Sequence, residues 1–418
     1  MKVYTMNLKT IGSLLILTAI FSAAIHAAPQ NSVKPGVDIF VEKAHKDYSG
    51  KKIALITNAT GLTSGLVSTV DALHQIGDPT LIKLFAPEHG IRGDVYAGDK
   101  VTDMTDTKTG IPIVSLYGKQ KKPTQAMLQG VDALLYDIQD IDNRTYTFIY
   151  TMSYAMEAAS ENNIEFIVLD RPVAMYGNLV DGNILDPAFS SFIGRYPIPY
   201  IYGMTPGELA QLFNTEFQIN CRLRVIKMTG YDHEMEFGDT GLLWVPPSPH
   251  IPRFETAYHC AATGCIGELS TVCIGVGYTL PFELVGEEWI DAEALAEELN
   301  ARHLPGVYFR PTFFRPFYSA FKNKKCSGVQ LLIKNSRQFL PFSTQIHLLA
   351  ALHKLFPNNP FLDSGASDDR IKAFNRAAGT DEIRKAILAG KTAEQIIADY
   401  QNDLNQFKEI RKKYLLYK

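Results

Sequence analysis

The stretch KIALITNATGLTSGLVSTVDALHQIGDPTLIKLFA, residues 52–86, decides the fold class. Its two ends, 52–58 and 80–86, are apolar runs of the kind that form buried strands. The segment 68–77 between them is predicted as a helix that ends at a glycine. Strands that are apolar throughout and that alternate with helices predict a parallel sheet covered on both faces.

The alternation continues toward Pro172, and the pattern changes after it. By the same criteria, strands are predicted at residues 111–117, 131–138, 165–170, 221–228, 307–314 and 327–334, and helices at residues 123–130, 145–162, 206–216, 343–356 and 391–417. We therefore predict an α/β protein with two domains. A Rossmann-like, doubly wound parallel sheet occupies residues 36–190, and a second, smaller α/β domain occupies residues 191–418.

The N-terminus has the three-part pattern of a secretory signal. Lys2 and Lys9 precede the apolar run 11–21, and small residues follow that run up to Ala27. The run is short for a membrane span, which needs ~20 apolar residues, so removal of residues 1–27 is favoured over a single-pass anchor. No later segment of the sequence is long and apolar enough to span a membrane. We expect a periplasmic or secreted protein.

The composition is that of an ordinary globular protein, with 46% hydrophobic and 20% charged residues among 418. The net charge of −3 becomes −5 once the two lysines of the signal are removed with it. A slightly acidic chain lacks the basic field that nucleic-acid binding requires. The five cysteines include no C-x-x-C pair and are expected to be mostly buried, inert thiols.

Several catalytic and cofactor motifs are missing from the sequence. It contains no G-x-S-x-G nucleophile elbow, no H-E-x-x-H zinc motif and no G-x-x-x-x-G-K-[ST] phosphate loop. No G-x-G-x-x-G follows the first predicted strand. We therefore do not expect a serine esterase, and we predict neither a cofactor nor a metal.

Polar side chains follow four of the predicted strands. They are Asn58 after the first strand, Glu88, His89 and Arg92 after the second, Asp137, Gln139, Asp140, Arg144 and Tyr146 at and after the strand at 131–138, and Asp170 and Arg171 after the strand at 165–170. In open parallel sheets, ligands bind outside the carboxyl ends of the strands. We therefore predict that these residues share a site, although an ordinary set of turns and helix caps would look similar.

Glu88 is the strongest catalytic candidate, because it lies in a Gly/Pro-rich turn beside His89. Glycoside hydrolysis usually requires a second carboxyl group, and Asp137 and Asp140 are the predicted partners. Arg144 and Arg92 would bind the anionic part of the substrate, and Tyr146 could stack on a sugar. Packing explains Tyr146 equally well, and a structural ion pair with Arg171 explains Asp170.

At these motifs the sequence resembles the exo-β-N-acetylmuramidase family of peptidoglycan turnover, long known as a domain of unknown function. The matching stretches are TNATG (57–61), LFAPEHGIRGD (84–94), TGIPIVSLYG (109–118), VDALLYDIQDIDNRTYTFI (131–149), FIVLDRP (166–172), YGMTPGELAQLFN (202–214), WVPPSPHIP (244–252), TLPFE (279–283) and RKKYLLY (411–417). The resemblance runs from about Gly36 to Tyr417. It implies a Rossmann-like domain and a smaller α/β domain with the active cleft between them.

The resemblance also implies where this chain departs from its family. In GELSTVCIGVGYTLPFE (267–283), Glu268 matches the family's acid, Thr271 replaces an asparagine and Val276 replaces an arginine. His250 stands where the family usually has asparagine. We include His250 and Glu268 among the predicted substrate-binding residues. The loss of an arginine removes a planar bidentate donor, which suggests an altered substrate.

The predicted function is that of an exported glycoside hydrolase that removes N-acetylmuramic acid or a related amino sugar from the non-reducing end of peptidoglycan fragments. The alternative is a non-catalytic periplasmic protein that binds muropeptides or similar sugars. The altered block around Val276 favours this alternative, and turnover of a substrate would exclude it.

Overall fold

The computed structural model describes residues 32–92 and 104–418, and the predicted signal lies outside these residues. The strands in the described ranges are β1 (Lys52–Thr57), β2 (Thr80–Ala86), β3 (Met104–Thr105), β4 (Pro112–Ser115), β5 (Ala133–Asp137), β6 (Glu165–Leu169), β7 (Asp181–Ile184), β8 (Pro199–Ile201), β9 (Arg222–Ile226), β10 (Leu284–Glu287), β11 (Val307–Phe314) and β12 (Cys326–Ile333). The helices are α1 (Gly36–Glu42), α2 (Thr69–Ile76), α3 (Phe148–Glu161), α4 (Pro206–Glu216), α5 (Thr256–Glu268), α6 (Ala292–Asn300), α7 (Pro341–Leu355), α8 (Asp368–Ala378), α9 (Glu382–Leu388) and α10 (Ala393–Arg411).

The main sheet has the order β3-β4-β2-β1-β5-β6-β9. All neighbouring pairs are parallel except β3 and β4, which are antiparallel. The six parallel strands, numbered along the chain, lie in the order 3-2-1-4-5-6, which is the order of the Rossmann fold. The strand order reverses between β1 and β5, so the topological switch point lies at the carboxyl ends of these two strands.

The central strands are buried on both faces, as their apolar sequences predict. Residues 53–57 of β1 and all of β5 are buried. One hydrophobic cluster under the sheet joins β1 and β2 to α1 and α2. A larger cluster joins the other face to α3, α4 and the C-terminal helices. Covering both faces satisfies the requirement that a parallel sheet is shielded from water.

The second sheet is small and antiparallel, with the order β10-β12-β11. Its longest pairing joins Val307–Phe314 to Cys326–Ile333. Helix α6 packs against β11 and β12. β9 pairs with β6, so the main sheet includes chain on both sides of the boundary expected near residue 190.

One predicted helix is wrong. Residues 123–130 form turns instead, and of their backbone hydrogen bonds the one from Leu128 N to the carbonyl of Thr124 at 3.1 Å has the four-residue span of an α-helix. Pro123 and the left-handed Gly130 (φ +77°) bound the segment. Only about two turns of helix could fit between these two residues. The segment between them forms turns and not an α-helix.

Helix starts in the second half follow ordinary capping chemistry. Thr205 caps α4 by accepting a hydrogen bond from the backbone N–H of Glu208, whose side chain accepts one from the N–H of Thr205. Thr392 and Gln395 form the same capping box at α10. Each box satisfies two backbone donors that a helix start leaves open.

The segment after α10 returns to the main sheet. Tyr417 packs with Val33, Val173, Met228 and Tyr231. Its hydroxyl donates to the carboxylate of Asp170 at 2.6 Å, directly after β6. Among the described residues, no helix has the length and apolarity that a membrane crossing requires.

Candidate active site

Glu88 follows β2 at the carboxyl edge of the sheet and is half-buried. The hydroxyl of Tyr117 donates to its Oε1 at 2.7 Å, and the hydroxyl of Thr147 approaches its Oε2 at 3.4 Å. Tyr117 follows β4 and Thr147 precedes α3, so two other elements fix the carboxylate. Glu88 is therefore held in position and still partly open to solvent, as an acid or base catalyst requires.

His89 turns the chain next to Glu88. Its backbone is left-handed (φ +69°) and its side chain is buried. Burial lowers the pKa of His250, and the charge of the nearby His89 adds to this effect. The Nε2 of His250 is 3.0 Å from the hydroxyl of Tyr318, and the two rings stack with centroids 6.2 Å apart.

A cavity of about 330 Å³ lies beside these residues. Its walls are formed by Thr145, Tyr146, Ser248, His250, Ile251, Cys260, Gly264, Gly267, Glu268, Ser270, Val272, Ile274, Val276, Phe282, Ser319, Ala320, Phe321 and Ala377. Of the predicted site residues, Tyr146, His250 and Glu268 line it. Glu88 is not among the lining residues, but its charge acts on the hydroxyl of Tyr146, which is.

Glu268 contributes a carboxyl group to the cavity from the last position of α5. Burial raises the pKa of Glu268, and the nearby Arg370 only partly opposes the rise. Burial also raises the pKa of Tyr146 well above its usual value, and the charges of Asp140 and Glu88 add to this. The cavity therefore favours neutral, protonated forms of both groups.

An ion pair fills the topological switch point at the carboxyl ends of β1 and β5. Asp137 is fully buried at the end of β5 and accepts from Nε and Nη2 of Arg171 at 2.5 and 2.9 Å. The hydroxyl of Thr69 donates to the same carboxylate. The space left beside Gln139 and Arg171 is about 30 Å³, which is room for roughly one water molecule.

Asp140 lies deeper than the cavity. It is 1% exposed, and its Oδ2 accepts from the hydroxyl of Tyr202 and from the backbone N–H of Asp142. Burial raises the pKa of Asp140 to about 6, and it also raises the pKa of Asp142. The predicted catalytic partners Asp137 and Asp140 are thus both enclosed by protein.

Three more predicted residues belong to this buried layer. Asn58 accepts from the backbone and hydroxyl of Thr60 at 2.9 and 2.6 Å. Gln139 donates to the carbonyls of Asp140 and Pro172. Asp170 accepts from Arg171 N, Thr205, Gly207 N and Tyr417, and burial raises its pKa to about 7. These contacts join the strand ends to each other.

The two arginines predicted to bind an anion are engaged elsewhere. Arg92 donates to Asp106 at 2.9 Å and lies 3.6 Å from Asp71. Arg144 is 0% exposed, and its two terminal nitrogens donate to backbone carbonyls, with the strongest bonds to Asn183, Ile198 and Ala378 at 2.7–2.9 Å. Their substrate role stays a prediction that this geometry does not favour.

Two family models divide the chain between them. The model of the exo-β-N-acetylmuramidase NamZ N-terminal domain matches residues 53–255, and that of the C-terminal domain matches residues 261–417. The chain belongs to the exo-β-N-acetylmuramidase NamZ family. The predicted family is therefore confirmed, and so is the predicted enzyme class of glycoside hydrolase.

Similarity to NamZ family members extends over nearly the whole chain. The peptidoglycan β-N-acetylmuramidase NamZ of Bacillus subtilis (strain 168) is 44% identical over 412 residues, which are 98% of each chain. Two crystal structures of DUF1343 family proteins from Bacteroides fragilis NCTC 9343 are also similar. One has a TM-score of 0.88 and 42% identity, covering 93% of this chain and 100% of its own. The other has a TM-score of 0.75 and 31% identity, covering 93% and 99%. The predicted fold class is confirmed.

Two of the three departures that the resemblance implied are at positions in the cavity wall. Val276 and His250 line it, whereas the hydroxyl of Thr271 donates to the carbonyl of Phe361 at 3.0 Å. The departures therefore change the surface that a ligand in this cavity would contact. The five cysteines are free thiols; four are buried, and Cys260 lies in the cavity wall.

Sequence reasoning missed three residues of this NamZ family site: Tyr117, Thr147 and Tyr318. Tyr117 follows β4 at the same carboxyl edge as Glu88, so the rule that found Glu88 could have found it. Tyr318 had no such signal, because it comes from a loop of the distant antiparallel sheet. Within residues 32–92 and 104–418, no cluster of three or more His, Cys, Asp or Glu side chains is placed to hold a metal ion.

Proposed function

We propose that this chain is an exported exo-glycosidase that removes N-acetylmuramic acid or a closely related amino sugar from the non-reducing end of peptidoglycan fragments. The observation that carries the proposal is the 44% identity to the peptidoglycan β-N-acetylmuramidase of Bacillus subtilis over nearly the full length of both chains. The cavity beside Glu88 supplies a place where such a sugar would bind.

The size and lining of the cavity suit one terminal sugar ring. Its volume of about 330 Å³ is at the lower end of ligand pockets, which span ~300–1,000 Å³. Ile274, Val276 and Phe282 form an apolar wall for the methyl groups of an acylated amino sugar. Ser248 and Ser270 offer hydroxyls to its ring oxygens.

Glu88 and Glu268 would be the two carboxyl groups of the reaction. Glu88 is half-buried and accepts hydrogen bonds from Tyr117 and Thr147, whereas burial raises the pKa of Glu268 and favours its protonated form. Two carboxyl groups in such different environments can divide the roles of base or nucleophile and of proton donor. Asp137 and Asp140 would then orient the strand ends that carry the site.

The charge around the cavity bears on which amino sugar is bound. Arg144 is occupied by backbone carbonyls and Arg92 by two aspartates. Of the arginine and histidine side chains predicted for the site, His250 is the one that lines the cavity. A sugar without the lactyl carboxylate, such as an N-acetylglucosaminide, therefore belongs in the substrate panel beside N-acetylmuramide.

The test is hydrolysis of chromogenic β-N-acetylmuramide and β-N-acetylglucosaminide by the purified protein. Wild-type turnover of at least one is expected, and Glu88→Gln should reduce kcat at least about 100-fold, as expected for loss of an acid–base group. A wild-type protein that hydrolyses neither substrate, nor peptidoglycan fragments, would refute the glycosidase proposal. An equally active Glu88→Gln variant would refute only the role of Glu88.

Export is tested separately. We expect the full chain, expressed in a Gram-negative host, to appear in the periplasmic or extracellular fraction with residue 28 at its N-terminus. The control variant carries Leu14→Arg and Leu15→Arg, which interrupt the apolar run of the signal. Retention of the wild-type chain in the cytoplasm with residues 1–27 intact would contradict export.

A further inference from the structure

Two aromatic side chains lie exposed at the edge of the cavity. Phe317 is 54% exposed and Tyr318 is 42% exposed. The next three residues along the chain, 319–321, are themselves part of the cavity wall. The aromatic pair is therefore continuous with the candidate active site, on the side formed by the smaller sheet.

The loop that carries the pair is firmly anchored. The backbone N–H of Phe317 donates to the carbonyl of Gly277 at 2.8 Å, and that of Asn323 donates to Pro316 at 2.8 Å. Gly277 has φ +99°, and a Cβ there would lie 2.3 Å from the carbonyl oxygen of Tyr318. Only glycine allows this close approach of the two loops, so the exposed rings are held in place by backbone contacts.

The rings are also oriented by their neighbours. Phe317 lies 5.4 Å from Tyr318 and 6.3 Å from Tyr278, measured between ring centroids. Tyr318 stacks on His250, and its hydroxyl lies 3.0 Å from Nε2 of that histidine. His250 lines the cavity, so Tyr318 links the cavity wall to the exposed surface.

Exposed aromatic rings of this kind are costly to keep in water and mark binding surfaces. We propose that Phe317 and Tyr318 form a platform for the second sugar ring of the substrate, the ring that remains after the terminal residue is released. The inference rests on the proposed function and deepens it. The cavity binds the terminal ring, and the platform stacks on the apolar C–H face of the ring beyond the scissile bond.

Several features favour a sugar as the occupant. The platform is continuous with a cavity sized for one ring, and a glycan must continue from that cavity along some neighbouring surface. The platform combines two apolar faces with the hydroxyl of Tyr318, and a pyranose ring likewise combines an apolar face with a polar rim. An aromatic residue with a polar group suits that combination.

The experiment compares two substrates that differ by one ring. One is the methyl β-glycoside of whichever N-acetylhexosamine the wild type hydrolyses better, because a methyl aglycone is too small to reach the platform. The other is the corresponding disaccharide ending in N-acetylglucosamine. Phe317→Ala should raise KM for the disaccharide about 5- to 20-fold, the range of single stacking contacts. Its kcat/KM for the methyl glycoside should stay within about twofold of the wild type. Phe317→Tyr keeps an aromatic face and should keep the disaccharide KM.

The matched control is Phe313→Ala. Phe313 is 72% exposed on β11, and because side chains alternate along a strand it points away from Phe314, which packs against Tyr278. This variant should leave both substrates unaffected. Equal losses on both substrates in Phe317→Ala, or no change on the disaccharide, would overturn the platform.

A wild-type protein inactive on both substrates would refute the proposed function and not the platform. In that case disaccharide binding, measured by calorimetry, decides. Weaker binding by Phe317→Ala than by wild type supports the platform. No disaccharide binding by wild type, or equal binding by both proteins, overturns it.

Discussion

The hydroxyl of Tyr117 donates a hydrogen bond of 2.7 Å to Oε1 of Glu88. The two residues follow the adjacent parallel strands β4 and β2, so the register of the sheet sets their distance. Thr147 approaches the second oxygen of the same carboxylate at 3.4 Å. The edge of the sheet therefore orients Glu88. The position of its carboxylate depends on Tyr117 and Thr147, which touch no substrate atom in the proposed scheme.

Tyr117→Phe removes this bond and keeps the ring. Hydrogen bonds to charged groups contribute ~1.5–3 kcal/mol, so we expect kcat to fall about 10- to 100-fold with little change in KM. Steady-state kinetics on the chromogenic substrate measure both constants. Tyr308→Phe, at an exposed tyrosine of β11, is the control and should be silent. A change in KM alone would contradict a positioning role.

Glu268→Gln tests the second carboxyl group. Because burial raises the pKa of Glu268, it stays protonated to a higher pH than an ordinary glutamate. As a proton donor it would lose activity when the pH rises through that raised pKa. We expect the wild-type kcat/KM profile to fall on its alkaline side, and the variant to lack this fall and to be slower at least about 100-fold. An unchanged profile would assign Glu268 to binding alone.

Arg144→Met tests whether the buried guanidinium has a structural role. The change removes the guanidinium donor from the carbonyls of Asn183, Ile198 and Ala378 in the protein interior, and of these Ile198 keeps a bond from Leu185 N. We expect unfolding free energy to drop by about 3–5 kcal/mol, as measured by urea denaturation.

Arg222→Met is the control, because this exposed arginine donates to a single carbonyl, that of Asn163 at 2.9 Å. This variant should lower the unfolding free energy by less than about 1 kcal/mol. A stable Arg144→Met protein that had lost substrate affinity would instead restore the predicted binding role of Arg144.

Asp140→Asn tests the buried carboxyl pair. The pKa of Asp140 is raised to about 6 in the folded protein from its usual 3.8, so the folded state holds its proton more tightly than the unfolded state. The resulting stabilisation is full below pH 3.8 and is lost as the pH rises through about 6. Between pH 5 and pH 8, the unfolding free energy of the wild type should fall by roughly 1–3 kcal/mol more than that of the variant. Parallel pH profiles of urea denaturation would contradict this.

The main sheet was predicted well because the apolar pattern that identifies each strand lies within the strand itself. β1, β2 and β5 are apolar throughout, and the structure places them at the predicted positions within one or two residues. Glu88 could be singled out because its turn is local too. Arg144 could not be placed, because its partners at Asn183, Ile198 and Ala378 come from segments far along the chain.

Contacts with distant parts of the chain also determine which of the predicted carboxyl groups reach the cavity. Asp137 and Asp140 have the spacing and strand-end position of catalytic acids. What removes them from the cavity is burial against Arg171 and Tyr202, residues from later elements. Glu268 entered the prediction only through the family resemblance, because a helix end in the second half carries no local sign that it faces the first sheet.

The bond between Asp170 and Tyr417 has a consequence for how the protein matures. It joins positions 247 residues apart, and it supplies one of four donors to the buried carboxylate at the carboxyl end of β6. While the chain is being synthesised or threaded through a translocation pore, that donor is still missing. Contacts of such long range form slowly, so the edge that carries Glu88 would be completed late. Under the proposed export, this delayed closure would keep the polypeptide unfolded until most of it has crossed the membrane.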